Sequence, residues 1–277
     1  MFKKITIIGL GLMGGSLAAA CRKRFPKSTI VGVTRSRKAL AFALRKKWLN
    51  EGAEDVARGA SGADLVILCT PVDAHLPILG KVDRVVKPGA LVMDVGSVKG
   101  SIHRDINRVS WKRMSFVGAH PMVGSHERGI DAATPGLYEN GIVFLTRDDK
   151  TSPKIFRVAK RFWEKLSAQV VTLSPDLHDS LVGEISHLPH AVAACLVHTV
   201  SERSLPSAAR GFRDTTRIAA SDPSVWLPIF RANKKNVLSG LRCFEREIRY
   251  FKKLLRSDEV NPLRRYLEKA QKIRQSF

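Results

Sequence analysis

A histidine followed at once by proline, His120-Pro121, closes the apolar run Phe116-Val117-Gly118-Ala119 and leads into Met122-Val123-Gly124-Ser125. Proline cannot continue a hydrogen-bonded ladder, so the spacing puts the imidazole at a strand terminus, where an open α/β sheet presents its chemistry. An imidazole with an unperturbed pKa of ~6.5 takes or returns a proton near neutral pH, which makes His120 a candidate base. Ser97 stands at an equivalent place, just past the apolar run Ala90-Leu91-Val92-Met93 and within Asp94-Val95-Gly96-Ser97-Val98-Lys99. Glu184-x-x-His187 has the spacing of a di-iron ligand pair, but such a site needs a second pair from a partner helix and the chain has none. The four cysteines, Cys21, Cys69, Cys195 and Cys243, lie far apart, which spells neither a zinc knuckle nor a redox pair and fits reduced thiols in a cytoplasm. No metal is expected.

These groups need elements to hold them. The β-branched run Ile5-Thr6-Ile7-Ile8 leads into Gly9-Leu10-Gly11-Leu12-Met13-Gly14, after which Gly15, Ser16 and Ala18 to Ala20 begin a helix. In a strand, glycine turn and helix of this kind, the first glycine permits the turn and the second lets backbone amides approach a pyrophosphate. The third allows the helix to pack close on the strand, with its N-terminus facing the anion. Gly9, Gly11, Leu12, Met13 and Gly14 are thus expected to bind a dinucleotide. A second strand, Thr29 to Val33, ends where a carboxylate would hold the ribose hydroxyls of NAD, but the residues there are Thr34-Arg35-Ser36-Arg37. Guanidinium and hydroxyl groups suit a 2′-phosphate, so Thr34, Arg35 and Ser36 favour NADP, with NAD as the alternative.

Further strands are expected at Leu65 to Cys69, ending in Thr70-Pro71 beside the cofactor crevice, at Ala90 to Val95, at Gly141 to Leu145 and at Gln169 to Leu173. Helical spacing lies between them, in Lys38 to Leu49, in Asp73 to Val86 and from Pro153 to about Ser167. Strands alternating with helices predict an α/β domain with a mostly parallel, doubly wound sheet over residues 1–174. Ser174-Pro175-Asp176 reads as a helix start, after which strand signals cease, so residues 175–277 are expected to be an all-α domain. There Val237, Leu241, Phe244, Ile248, Phe251 and Leu255 mark one apolar stripe on a long helix, which suggests pairing with a second subunit.

Composition narrows the classes. With 277 residues, 44% hydrophobic and 26% charged, the chain can fill two packed domains. A formal charge of +22 attracts phosphate and carboxylate ligands, yet the basic residues are scattered and no aromatic-interleaved RNA motif accompanies them. Nucleic acid is therefore not expected as the partner. Lys3-Lys4 followed by an apolar run to Cys21 imitates a lipoprotein leader, but the spaced glycines explain that run better. No other stretch reads as long and apolar enough to span a bilayer.

Five motifs in order, Gly9-x-Gly11-x-x-Gly14-Gly15-Ser16, Asp94 to Lys99, Gly118 to Gly124, Ser186-His187-Leu188-Pro189-His190 and Gly211-Phe212-Arg213-Asp214-Thr215-Thr216-Arg217, make the chain closely resemble the prephenate/arogenate dehydrogenase family of tyrosine biosynthesis. The resemblance spans nearly the whole length. It implies a Rossmann-type N-terminal domain, a helical domain that forms a homodimer, and a cytoplasmic NAD(P)-dependent enzyme. The implied reaction is oxidative decarboxylation of prephenate to 4-hydroxyphenylpyruvate, with arogenate, or both substrates, as the alternative. It also implies that His120 is catalytic, that Ser97 hydrogen-bonds the substrate hydroxyl or orients that histidine, that Arg217 holds a substrate carboxylate and that His190 contacts the substrate. His187 is expected to be structural.

The motif at residues 34–37 departs from relatives that carry an acidic residue there, so their cofactor choice does not transfer. Two other readings compete. One is a reductase of another small acid or imine, which would lack the Ser-His-Leu-Pro-His and Gly-Phe-Arg-Asp combination. The other is a basic Rossmann-derived binding protein, for which His120 would be dispensable.

Overall fold

Alternate residues of the central strands serve opposite faces of one sheet, and both faces are apolar, as burial on two sides requires. On one face Ile5, Ile7, Ile30, Leu65, Ile67, Leu91 and Met93 pack with Leu17, Phe162 and Trp163. On the other Ile8, Val33, Val66, Leu68 and Val92 pack with Leu79, Val82, Ile102 and Ile106. The computed structural model describes residues 2–123, 127, 129–257 and 259–277. Gly124 and Ser125, at the end of the His120 motif, lie outside the described residues.

The elements run β1 (Lys4–Ile8), α1 (Leu12–Arg24), β2 (Thr29–Val33), α2 (Arg37–Arg45), β3 (Glu51–Ala53), α3 (Val56–Ala60), β4 (Leu65–Leu68), α4 (His75–Val85), β5 (Ala90–Asp94), α5 (Gly100–Asn107), β6 (Met114–Pro121), β7 (Ile142–Thr146), α6 (Pro153–Lys165) and β8 (Gln169–Leu173). The sheet has the order β3-β2-β1-β4-β5-β6-β7-β8. Strands β1 to β6 pair in parallel; β7 runs antiparallel to β6, with His120 opposite Phe144, and β8 runs parallel to β7. The α/β architecture with a mostly parallel sheet is thus as expected. The short strand β3 and the helices α3 and α5 are beyond what the sequence patterns predict.

The helices that follow are α7 (Pro175–Val182), α8 (Leu188–Thr199), α9 (Arg210–Thr216), α10 (Pro223–Ala232), α11 (Lys234–Arg256) and α12 (Val260–Gln275). Between α7 and α8, Gly183–His187 forms a π-helical turn ahead of Pro189, whose ring and missing N–H disturb the regular ladder. The run Pro175–Thr199 is long and apolar enough, by length and composition, to cross a membrane, which corrects the expectation that no further stretch would be. Its buried members include the polar His178, Asp179, His187 and His190.

The chain divides into two compact units, residues 1–182 with 220–233, and residues 183–219 with 234–277. This differs from the division expected after residue 174. Helix α7 goes with the sheet because Asp179 accepts hydrogen bonds from the Lys99 and Gly100 amides at 2.7 and 2.9 Å. The segment 220–233 follows it because Asn233 Nδ2 donates to the Asp179 carbonyl at 2.7 Å. In the second unit the anticipated stripe on α11 exists, with Val237 buried while Phe244, Ile248 and Leu255 are exposed.

Candidate active site

The carboxyl ends of β1, β2, β4, β5 and β6 carry every candidate residue of the first unit. Gly9 closes β1 at φ +96°, a left-handed conformation that suits glycine, and its amide donates to the Val33 carbonyl at 2.8 Å. A Cβ on Gly14 would lie 1.7 Å from the Gly9 carbonyl oxygen, so only glycine lets α1 pack this close to the turn. A Cβ on Gly11 would meet nothing within 4 Å. The space over the turn is open where a phosphate would sit, beside the N-terminus of α1 at Leu12 and Met13. The Met13 carbonyl is fixed by the hydroxyl of the buried Tyr138, which donates to it at 2.7 Å. Thr70 lies next to Gly9, and its Oγ1 is buried without a hydrogen-bond partner among the described residues. Glycine turn, helix terminus and orphaned hydroxyl together fit a dinucleotide.

At the end of β2 the Ser36 hydroxyl caps α2 by accepting from the Ala39 amide at 3.2 Å, and Thr34 Oγ1 accepts from the Ser36 amide at 3.2 Å. Both oxygens accept internally, so each hydroxyl proton is available to an acceptor. Arg37 pairs with Glu54 at 2.8 Å, whereas Arg35 is exposed and has no ion pair among the described residues.

Behind the ends of β5 and β6 lies a buried polar layer. Asp94, fully buried, pairs with the equally buried Lys99 ammonium and accepts from the Gly96 and Ala119 amides at 3.0 and 3.2 Å. One carboxylate thereby ties the turn that carries Ser97 to the residue preceding His120. His75 sits 3.8 Å from Asp94 through Nδ1 and donates from Nε2 to the Thr70 carbonyl at 3.0 Å. Burial holds the His75 and Lys99 pKa values below their ordinary ranges, against the opposing pull of Asp94. Gly118 is needed beside this layer, because a Cβ there would lie 2.4 Å from Thr146 Oγ1 and 3.0 Å from Lys99 Cδ.

His120, the penultimate residue of β6 and 8% exposed, faces His178 of α7, with Nδ1 2.9 Å from His178 Nε2. His178 is fully buried and its Nδ1 lies 2.9 Å from Asp179 Oδ1. Burial works to raise the Asp179 pKa, but the hydrogen bonds from His178 and the Lys99 and Gly100 amides outweigh it and keep the carboxyl below the usual range. Burial likewise holds His178 below an ordinary imidazole pKa, against the pull of Asp179. Ser97 itself is partly exposed.

His190 and Arg217 belong to the second unit. His190 is 8% exposed; burial pushes its pKa down to about 4, although a hydrogen bond to the Ile218 backbone works the other way. That bond brings His190 beside Arg217, which is exposed at the junction of α9 and a short 3₁₀ turn. His187 is fully buried.

His178, Asp179, Asp94 and Lys99 were not picked out individually from the sequence. A carboxylate closing the apolar strand Ala90-Leu91-Val92-Met93, and the adjacent His178-Asp179 pair at a helix start, are the signals that were there to be read.

Residues 17–172 match the family model for the nucleotide-binding domain of prephenate dehydrogenase, and residues 174–269 match that for its dimerization domain. Over 277 residues the chain is 36% identical to a prephenate dehydrogenase of Bacillus subtilis, covering 98% of this chain and 75% of that one. It is 30% identical to a cyclohexadienyl dehydrogenase of Zymomonas mobilis, covering 99% and 96%. Among solved structures, the prephenate dehydrogenase of Aquifex aeolicus in complex with hydroxyphenyl propionate and NAD+ superposes with a TM-score of 0.93, at 35% identity and 100% and 98% coverage. The arogenate dehydrogenase of Synechocystis does so with a TM-score of 0.85, at 29% identity and 99% coverage of both chains.

Proposed function

Because the chain belongs to the prephenate dehydrogenase family, we propose that it converts prephenate to 4-hydroxyphenylpyruvate and CO2 with a nicotinamide dinucleotide as oxidant. The observation that carries this reading is His120, buried at the end of β6 in the same row of strand ends as the glycine turn, with Nδ1 engaged by His178. Oxidised nicotinamide, when bound, supplies the acceptor for the hydride leaving the alcohol carbon.

As that hydride leaves, the hydroxyl becomes acidic and His120 takes its proton. The bond from ring carbon to carboxylate then breaks, CO2 departs, and its electron pair completes the aromatic ring. The phenolate oxygen so formed takes the proton back from His120, so atoms and charge balance with no net release to solvent. Ser97 hydrogen-bonds the reacting oxygen, and Arg217 binds a substrate carboxylate with a guanidinium fork. His190, neutral at physiological pH because of its burial, serves as a hydrogen-bonding contact to the substrate.

Prephenate is favoured over arogenate by the names of the Bacillus and Aquifex relatives, which have higher identities than the Synechocystis arogenate dehydrogenase. NADP is favoured over NAD by Arg35, left without an ion pair while Arg37 holds Glu54, and by the two hydroxyls of Thr34 and Ser36. The exposed apolar stripe on α11, within the stretch that matches the dimerization domain, supports a homodimer. The test is the purified protein with prephenate and with arogenate, each against NAD and NADP, following reduced nicotinamide. Turnover highest with prephenate and NADP is the expected result; no reduction with either substrate refutes the activity.

A further inference from the structure

The hydrogen-bond chain behind His120 has a direction that the chemistry of its members dictates. Asp179, kept ionised by the Lys99 and Gly100 amides at 2.7 and 2.9 Å, has no proton to give, so His178 Nδ1 must donate to it. His178 is fully buried and stays neutral, which leaves a lone pair on its Nε2. His120 Nδ1, 2.9 Å from that lone pair, must then carry the hydrogen. A neutral imidazole has one N–H, so His120 Nε2 is left as the basic nitrogen.

Among the described residues, the other charged groups acting on His178 are Lys99 and Asp94, which form a buried pair. Phe144 of β7 packs edge-on against both rings, with centroids 6.5 Å from His120 and 5.7 Å from His178, and contributes no charge. Asp179 is the anion in direct contact with the His178 ring.

We propose that His178 and Asp179 are positioning residues that fix the tautomer of His120 and raise the basicity of its Nε2, so that a carboxylate–imidazole–imidazole relay stabilises the cation formed when His120 takes the substrate proton. The proposal rests on the reading of His120 as the base. It also explains why Asp179 caps α5: the amides of Lys99 and Gly100 hold the carboxylate in line with His178.

Two measurements test it. Nitrogen-15 histidine spectra of the unsubstituted protein, which need no substrate, should show His120 as the Nδ1–H tautomer above its titration; an Nε2–H tautomer overturns the proposal. For kinetics, His178→Leu removes the acceptor, whereas His178→Gln keeps an amide oxygen near the position of Nε2. His178→Leu should lower kcat on the order of 10²–10³-fold with KM within about threefold of the parent, and shift the acidic limb of the pH profile down by roughly one unit. His178→Gln should recover at least about tenfold of that loss.

A Leu variant with the parent's kcat and pH profile, or a folded Gln variant no better than Leu, refutes the relay. If the Leu variant fails to fold, the tautomer and the Gln profile decide between the same two outcomes. If neither prephenate nor arogenate is turned over, the functional reading fails, and the tautomer still tests the direction of the chain.

Discussion

Replacing Lys99 with methionine removes a charge from the interior while keeping an unbranched chain of similar length. Lys99 and Asp94 are both fully buried, so the variant leaves the Asp94 carboxylate with the Gly96 and Ala119 amides at 3.0 and 3.2 Å and without its cation. Removing one partner of a buried pair typically destabilises by about 3–5 kcal/mol, because the remaining charge is still out of water. Against a usual total of about 5–15 kcal/mol that is a large fraction, and it raises the unfolded population by roughly two to three and a half orders of magnitude. With a urea slope on the order of 2–3 kcal/mol per molar, the midpoint should fall by about 1–2 M.

Tryptophan fluorescence reads this transition, since Trp48, Trp111, Trp163 and Trp226 all belong to the first unit. Adding Asp94→Asn to Lys99→Met should restore at least half of the loss, because no unpaired charge then remains. A midpoint for Lys99→Met within about 0.3 M of the parent would show that the pair is not stabilised as the burial implies.

Four further outcomes are expected. His120→Asn should lower turnover on the order of 10²–10⁴-fold with cofactor affinity nearly unchanged; equal activity removes His120 from the reaction. Arg35→Ala should weaken NADP and spare NAD, as read by cofactor titration, and equal loss of both refutes a 2′-phosphate contact. Arg217→Ala should chiefly raise KM, and an unaltered KM for both candidate substrates counts against the carboxylate role. For His190, whose pKa in the folded protein is about 4, the unfolded chain gains its proton near ~6.5 and the folded one only later. Stability should therefore fall as pH drops from about 6.5 to 4, by an amount on the order of 1–3 kcal/mol, and His190→Gln should flatten that slope in thermal unfolding at stepped pH.

Much of the first unit was legible because its signals are local. A β-branched run, three spaced glycines and a helix of small residues must be adjacent in sequence to cradle a phosphate, and they are, from Ile5 to Ala20. Strand β3 escaped because Glu51-Gly52-Ala53 is a three-residue edge with neither alternation nor a β-branched residue. The reversal of β7 could not be read from its own residues, since strand direction is set by how the chain returns. The clue was instead that the described residues between Met122 and Gly141 carry no helix of the kind a parallel crossover needs. His178 and Asp179 escaped for a different reason. Their roles depend on partners 58 and 80 residues away, at His120 and Lys99, and no spacing rule connects them.

The outermost strand β8 has a further consequence. Among the described residues, Gln169-Val170-Val171-Thr172-Leu173 pair with β7 on one side only; Val171 is 39% exposed, and no charge or proline interrupts the run. An uninterrupted, β-prone border of this kind offers free amides and carbonyls to any extended chain that meets it. Concentrated preparations and crowded refolding mixtures are where such accidental strand addition would surface, and a lysine at Thr172 is the natural gatekeeper to try.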